Sequence, residues 1–149
     1  MTQLHQHGLN RSIIIHLREK FPGIQIDLKF DGYQMPAVRP LILIEPMQNN
    51  YEINVKQREA IETIYRYQIG LFEKNSVELS IKQERLQDVF NFDKFAFYDT
   101  LQSPAIQRGY FLCDLTAVVP MPAGDISNKS EYHRVYFDVE IKDTKRRCR

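Results

Sequence analysis

The chain has 149 residues, 43% hydrophobic and 26% charged, a size and balance that suit one soluble domain burying roughly two-thirds of its unfolded surface. Its 20 basic and 19 acidic side chains leave a net charge of +1, which excludes an overall field for capturing nucleic acid or an anionic membrane and opposes self-association little. The longest apolar run, Leu41-Ile42-Leu43-Ile44, falls far short of the roughly 20 residues needed to span a bilayer, and Met1–His7 lacks the basic-then-apolar order of a leader.

The first predicted element is a helix over Leu9–Phe21, where Leu9, Ile13, Leu17 and Phe21 form an apolar stripe that Ile14 widens. Asn10 or Ser12 would cap it, and Pro22-Gly23 would stop it. Ile24–Phe30 alternates apolar and polar residues and predicts a half-buried strand, closed by the turn pair Asp31-Gly32. After a connector holding Pro36 and Pro40, Leu41–Glu45 is apolar on both parities, so a central strand covered on both sides is expected. Tyr51–Lys56 alternates again and is expected to pair with the strand ending at Phe72, with helix as the competitor over Gln57–Ile64.

Two long stretches carry the strongest signal. In Thr63–Phe72 one parity holds Thr63, Tyr65, Tyr67, Ile69 and Leu71; in Tyr132–Lys142, Val135, Phe137, Val139 and Ile141 oppose Tyr136, Asp138, Glu140 and Lys142. A period of two belongs to a strand with one face buried, and ten residues at about 3.3 Å each make strands of roughly 30 Å. Strands that long on a small body leave backbone edges to be covered, by the chain itself or by a neighbour. Between them, Asn75 with Glu78 opens a helix to about Phe90 that would bury Leu79, Leu86, Val89 and Phe90. Phe95–Tyr98 is short and apolar, Asp99–Gln107 irregular, and Gly109–Val119 is expected to pair with the last strand across the long loop Pro120–Glu131. The order predicts a single α+β domain over 1–149: a mainly antiparallel sheet with two helices packed on one face, and with 1–8 and 143–149 as flexible ends.

Chemistry-bearing motifs are sparse. His5-x-His7 has metal-ligand spacing but sits at a chain end; His16 and His133 stand apart from any nucleophile motif; glycines are scattered, without phosphate-loop spacing. Cys113 and Cys148 make neither a disulfide framework nor a metal pattern, and both read as free thiols. Asp138-Val139-Glu140-Ile141-Lys142 resembles the magnesium-binding set of one large nuclease superfamily, two carboxylates for the metal and a lysine to steady the attacked phosphate. That superfamily follows its Glu-x-Lys strand with a helix, which is missing here, and alternating charge on a solvated strand face produces the same letters. Lys142, Lys145, Arg146, Arg147 and Arg149 form a basic end suited to passing contact with DNA phosphates. The tyrosines, Tyr51, Tyr65, Tyr67, Tyr110, Tyr132 and Tyr136, read as core and interface aromatics rather than a base-stacking platform.

Taken with the element order, three segments carry a resemblance: the early helix ending Arg18-Glu19-Lys20-Phe21-Pro22, the strand Arg39-Pro40-Leu41-Ile42-Leu43-Ile44-Glu45, and Tyr65–Phe72 followed by the second helix. Over roughly residues 9–90 by pattern, and in its closing strand pair by architecture, the chain resembles the tail-terminator (tail-completion) proteins of long-tailed bacteriophages and phage-like particles. The resemblance implies a structural virion protein, assembled in the host cytoplasm, that forms a six-membered ring, caps the tail tube and joins it to the head connector. It implies no catalytic residue, no cofactor and no membrane partner; its partners would be copies of itself, the tail tube protein and a head–tail connector or neck protein. A neighbouring connector component shares this size and style. Met121, Pro122, Asp125 and Ile126 in the long loop, with Arg146 and Arg147 in the basic end, are the expected interface residues.

Overall fold

The computed structural model describes residues 4–53, 60–120 and 133–146. In chain order they form α1 (Gln6–Lys20), β1 (Gln25–Leu28), β2 (Leu41–Pro46), β3 (Asn50–Ile53), β4 (Ala60–Glu73), α2 (Ser76–Phe92), β5 (Lys94–Asp99), β6 (Ile106–Leu112), β7 (Asp114–Pro120) and β8 (His133–Arg146). Six strands make one sheet in the order β1-β2-β4-β8-β7, with β3 also on β4; β5 and β6 form a separate hairpin. Among the described residues only the β1–β2 pairing is parallel. This is the α+β architecture that the alternation predicts.

The spine is the antiparallel pair β4–β8, in register from Ala60↔Arg146 to Glu73↔His133. The expected parities hold. Tyr65, Tyr67, Ile69 and Leu71 from β4, and Val135, Phe137, Val139 and Ile141 from β8, enter one core with Leu9, Ile13 and Leu17 of α1 and Leu86, Val89 and Phe90 of α2. Both helices therefore cover the same face. Each such side chain gains roughly 1.5–3 kcal/mol on burial, against 0–1 for an exposed ion pair, so the apolar parity and not the charges on the other face decides the register. β2 is covered twice, as expected. Ile42 and Ile44 join the main core, while Leu41 and Leu43 meet Phe72, Tyr33 and Tyr136 on the far face.

Local signals account for most boundaries. Asn75 Oδ1 accepts from the Glu78 N–H at 2.8 Å and caps α2. At the far end of α1, Arg85 of α2 donates to the Lys20 carbonyl at 3.2 Å and lies 4.7 Å over the Phe21 ring. Ala60–Ile64 is strand rather than the competing helix, because the inner face of β4 continues through Thr63 into the core; residues 57–59 lie outside the described part.

Several expectations are corrected. The first helix begins three residues earlier than Leu9, and its cap is His5, whose Nδ1 accepts from the Gly8 N–H, in place of Asn10 or Ser12. Gln6–Gly8 thus belong to α1, and Asp143–Arg146 belong to β8, paired with Ala60–Thr63, so neither expected flexible end holds over these residues. The expected strand Gly109–Val119 is two strands in two sheets: β6 pairs with β5, the chain turns at Cys113, and only β7 pairs with β8. Each pairing carries a register shift. In β5–β6, Phe97 faces both Arg108 and Gly109, with Gly109 at φ 77; in β7–β8, Thr116 is the extra residue, and its hydroxyl donates to the Asp138 carbonyl at 3.1 Å.

Candidate functional site

What positions the β5–β6 hairpin is a row of polar links from α1. His5 Nδ1 accepts from Gly8, so its Nε2 carries the proton and donates to Asp99 Oδ1 at 3.2 Å. Buried Ser12 donates to the Gly8 carbonyl at 2.7 Å and accepts from the Tyr98 N–H at 2.8 Å, beside the register shift in β5. His16 Nε2 lies 2.8 Å from Asp93 Oδ2 and its ring stacks on Phe95 with centroids 4.0 Å apart. Gly8 permits the approach, since a Cβ there would sit 2.8 Å from the Phe97 ring. Phe95 stacks between Phe90 and Phe111 at 5.9 and 5.4 Å, which seals the hairpin's inner face onto the core. The hairpin is thereby held at both ends of β5, and β6 is its outward strand.

Beyond it opens a groove of about 680 Å³, lined by Leu4, Lys94, the run Arg108–Leu112, Asp114, Lys142 and Asp143. Consecutive residues of β6, and the consecutive pair Lys142-Asp143 of β8, line it together. Side chains on one face of a strand recur every second residue, so a consecutive run means that the strand presents its edge. On β8 that edge is open because β7 pairs only as far as Asp114↔Glu140 and then leaves for the other sheet. On β6 the opposite edge is taken by β5. Two strand edges therefore flank one opening, each with backbone donors and acceptors that a neighbouring strand would satisfy.

The side chains around it are mixed. Tyr110 and Leu112, 63% and 62% exposed, put two large side chains side by side on its rim, the kind of apolar patch a partner covers. Lys94 and Lys142 are exposed and have no ion-pair partner among the described residues; Arg108 is 3.4 Å from Asp99. Cys113, at the turn beneath, is buried, and burial pushes its thiol well above the ordinary range, so it is no nucleophile.

The sequence-derived candidates fall in several places. Asp138, Glu140 and Lys142 do share the outward face of β8, but Glu140 Oε2 faces Arg66 across the pair at 3.9 Å, and no group of three His, Cys, Asp or Glu placed to hold a metal occurs among the described residues. His5 and His7 separate as ligands: one reaches Asp99 and the other Thr100 Oγ1, at 2.6 Å. Arg146 ends β8 opposite Ala60. Met121, Pro122, Asp125, Ile126 and Arg147 lie outside the described residues. Sequence reading missed Lys94, Arg108, Tyr110, Leu112 and Asp114. The available signal was Gly109 inside an apparent strand, a mark of a bulge or a close approach.

Comparison with protein-family models gives no match to this chain, and comparison with curated proteins gives none either. Among the described residues no helix is long and apolar enough to cross a membrane.

Proposed function

We propose that the chain is a structural subunit that assembles with copies of itself into a ring, and that this ring caps the tail tube of a long-tailed phage or phage-like particle and joins it to the head connector. The observation that carries the first half is the groove between β6 and β8, an opening of about 680 Å³ flanked by two backbone edges and rimmed by exposed Tyr110 and Leu112. Edges of this kind are normally shielded, and a neighbour's strand shields them best. The second half rests on the resemblance in α1, β2 and β4 described above. In this reading the self-contacts are obligate and apolar at their centre, and the tail tube, the connector and passing DNA meet the ring's two faces.

The test is assembly. The purified chain, alone or with tail tube protein, runs on light scattering as a defined oligomer of ring size, six copies by the resemblance, and gives rings in negative stain. A chain that stays monomeric in both conditions overturns the reading; metal-dependent DNA cleavage lost in Glu140→Ala would replace it with an enzyme.

A further inference from the structure

The geometry points to β3 of a second copy as the strand that fills the groove. This rests on the self-assembly reading above and names the contact that performs it. Three registers lie in one row. Asn50, Tyr51, Glu52 and Ile53 of β3 pair with Ile64, Thr63, Glu62 and Ile61 of β4, and these pair in turn with Lys142, Asp143, Thr144 and Lys145 of β8. The next position in that row, beyond β8, is the groove. β3 and the groove therefore sit at the same level of the sheet, at its two opposite margins, three strands apart.

A second copy that places its β3 against β8 continues the row without a break. Rotation about an axis running along the strands preserves strand direction, and β3 is already parallel to β8, both being antiparallel to β4. The added strand is then a parallel neighbour of β8. It fits along the edge: β3 has four residues, and the edge that β7 leaves open runs from Ile141 to Arg146. Its character matches too. Tyr51, 66% exposed, has Tyr110 and Leu112 on the groove's rim to pack against. Among the described residues nothing pairs with the outer edge of β3. The two margins are different surfaces, so the contact is head-to-tail, and its repetition closes a ring where the rotation divides a full turn.

Thiol cross-linking of the full chain tests this. In a Cys148→Ser background the remaining native thiol, Cys113, is buried. Asn50→Cys and Lys142→Cys occupy one row at exposed positions. A short bismaleimide should convert the doubly substituted protein into a ladder of covalent oligomers ending at the ring size, and a mixture of the two single variants into dimers. Each single variant alone should remain monomeric on a denaturing gel. Cross-linking within one single variant would mean a two-fold contact and overturn the inference. Absence of both the ladder and the mixed dimer while light scattering still shows the oligomer would also overturn it, leaving ring assembly standing; a monomer throughout would remove both. As a second measurement, Leu112→Arg, at an exposed position, should leave circular dichroism unchanged and weaken association at least tenfold, and undiminished association would count against the groove as the contact.

Discussion

Single residues do most of their work here by closing hydrogen-bond accounts at the α1–β5 seam. Ser12 is fully buried and serves two groups, the Gly8 carbonyl and the Tyr98 N–H. Ser12→Ala strands the amide in an apolar place, and stability should fall by about 1–3 kcal/mol in urea titration, whereas a spare hydroxyl would cost almost nothing. Glu73 at the end of β4 is 3% exposed and is met by Lys82 of α2, which also reaches Glu78 at 3.1 Å. Desolvation pulls the Lys82 ammonium down, but its hydrogen bonds to Glu73 and Glu78 outweigh that and raise its pKa above the ordinary 10.5. A raised pKa in the folded state means stability fully present below the unfolded value and lost as pH climbs through the folded one. Urea midpoints should therefore fall more steeply above about pH 10.5 in the wild type than in Glu73→Gln/Lys82→Met. Lys82→Ala alone, which leaves Glu73 buried and unpaired, should cost about 3 kcal/mol at neutral pH. Neither partnership was legible beforehand: Ser12 read as a helix cap, and Glu73–Lys82 joins elements whose packing no local pattern encodes.

At the scale of elements, periodicity was a good guide wherever one face is buried along the whole length. β4 and β8 hold one register over fourteen paired positions, with Thr63–Leu71 and Val135–Ile141 keeping their inward parity, because a slip of one would turn every apolar side chain to solvent. The helix α2 followed from Asn75 and its stripe, with Leu79 only partly buried at its first turn. The same logic failed over Gly109–Val119, where an apolar run hides a change of sheet at Cys113-Asp114. Apolar residues there serve two surfaces in succession, and the bulges at Gly109 and Thr116 each shift the parity. Gly109 is the more exacting of the two. Its φ of 77 lies in the left-handed region and nothing lies within 4 Å of an added Cβ, so the obstacle to substitution is conformational rather than steric crowding. Gly109→Val should cost roughly 1–2 kcal/mol, visible as a lower Tm, and should realign β6 along the groove. Gly109→Asn, which tolerates this conformation better, should recover much of the loss.

For the whole molecule, the decisive feature is that a sheet with a covered inner face still has open margins. The groove edge of β8, the outer edge of β3 and exposed Tyr110, Leu112 and Leu101 are surface that nothing among the described residues covers. Oligomer formation should therefore respond to concentration and to Leu112→Arg, but little to salt, since the chain's net charge is +1 and apolar contact dominates. Sedimentation at low and high ionic strength checks this; dissociation by salt alone would point to an electrostatic interface instead. The connection between β7 and β8 offers a separate handle. Because Pro120 and Val135 already pair, deleting Ser127–Ser130 should leave Tm unchanged, and a loss of particle docking would assign that segment to a partner-facing surface.

By itself the sequence determined which residues face inward, because burying apolar area is the largest local preference and a strand or helix period shows it directly. It thereby determined the α+β class, both helices and the two long strands. Only the tertiary structure decided where β7 leaves β8, that His5 and His16 each find an aspartate at opposite ends of β5, and that Lys94, Tyr110 and Lys142 meet around one groove. Those outcomes depend on pairing between distant segments, and side chains separated by tens of residues carry no periodic trace of one another until the backbone brings them together.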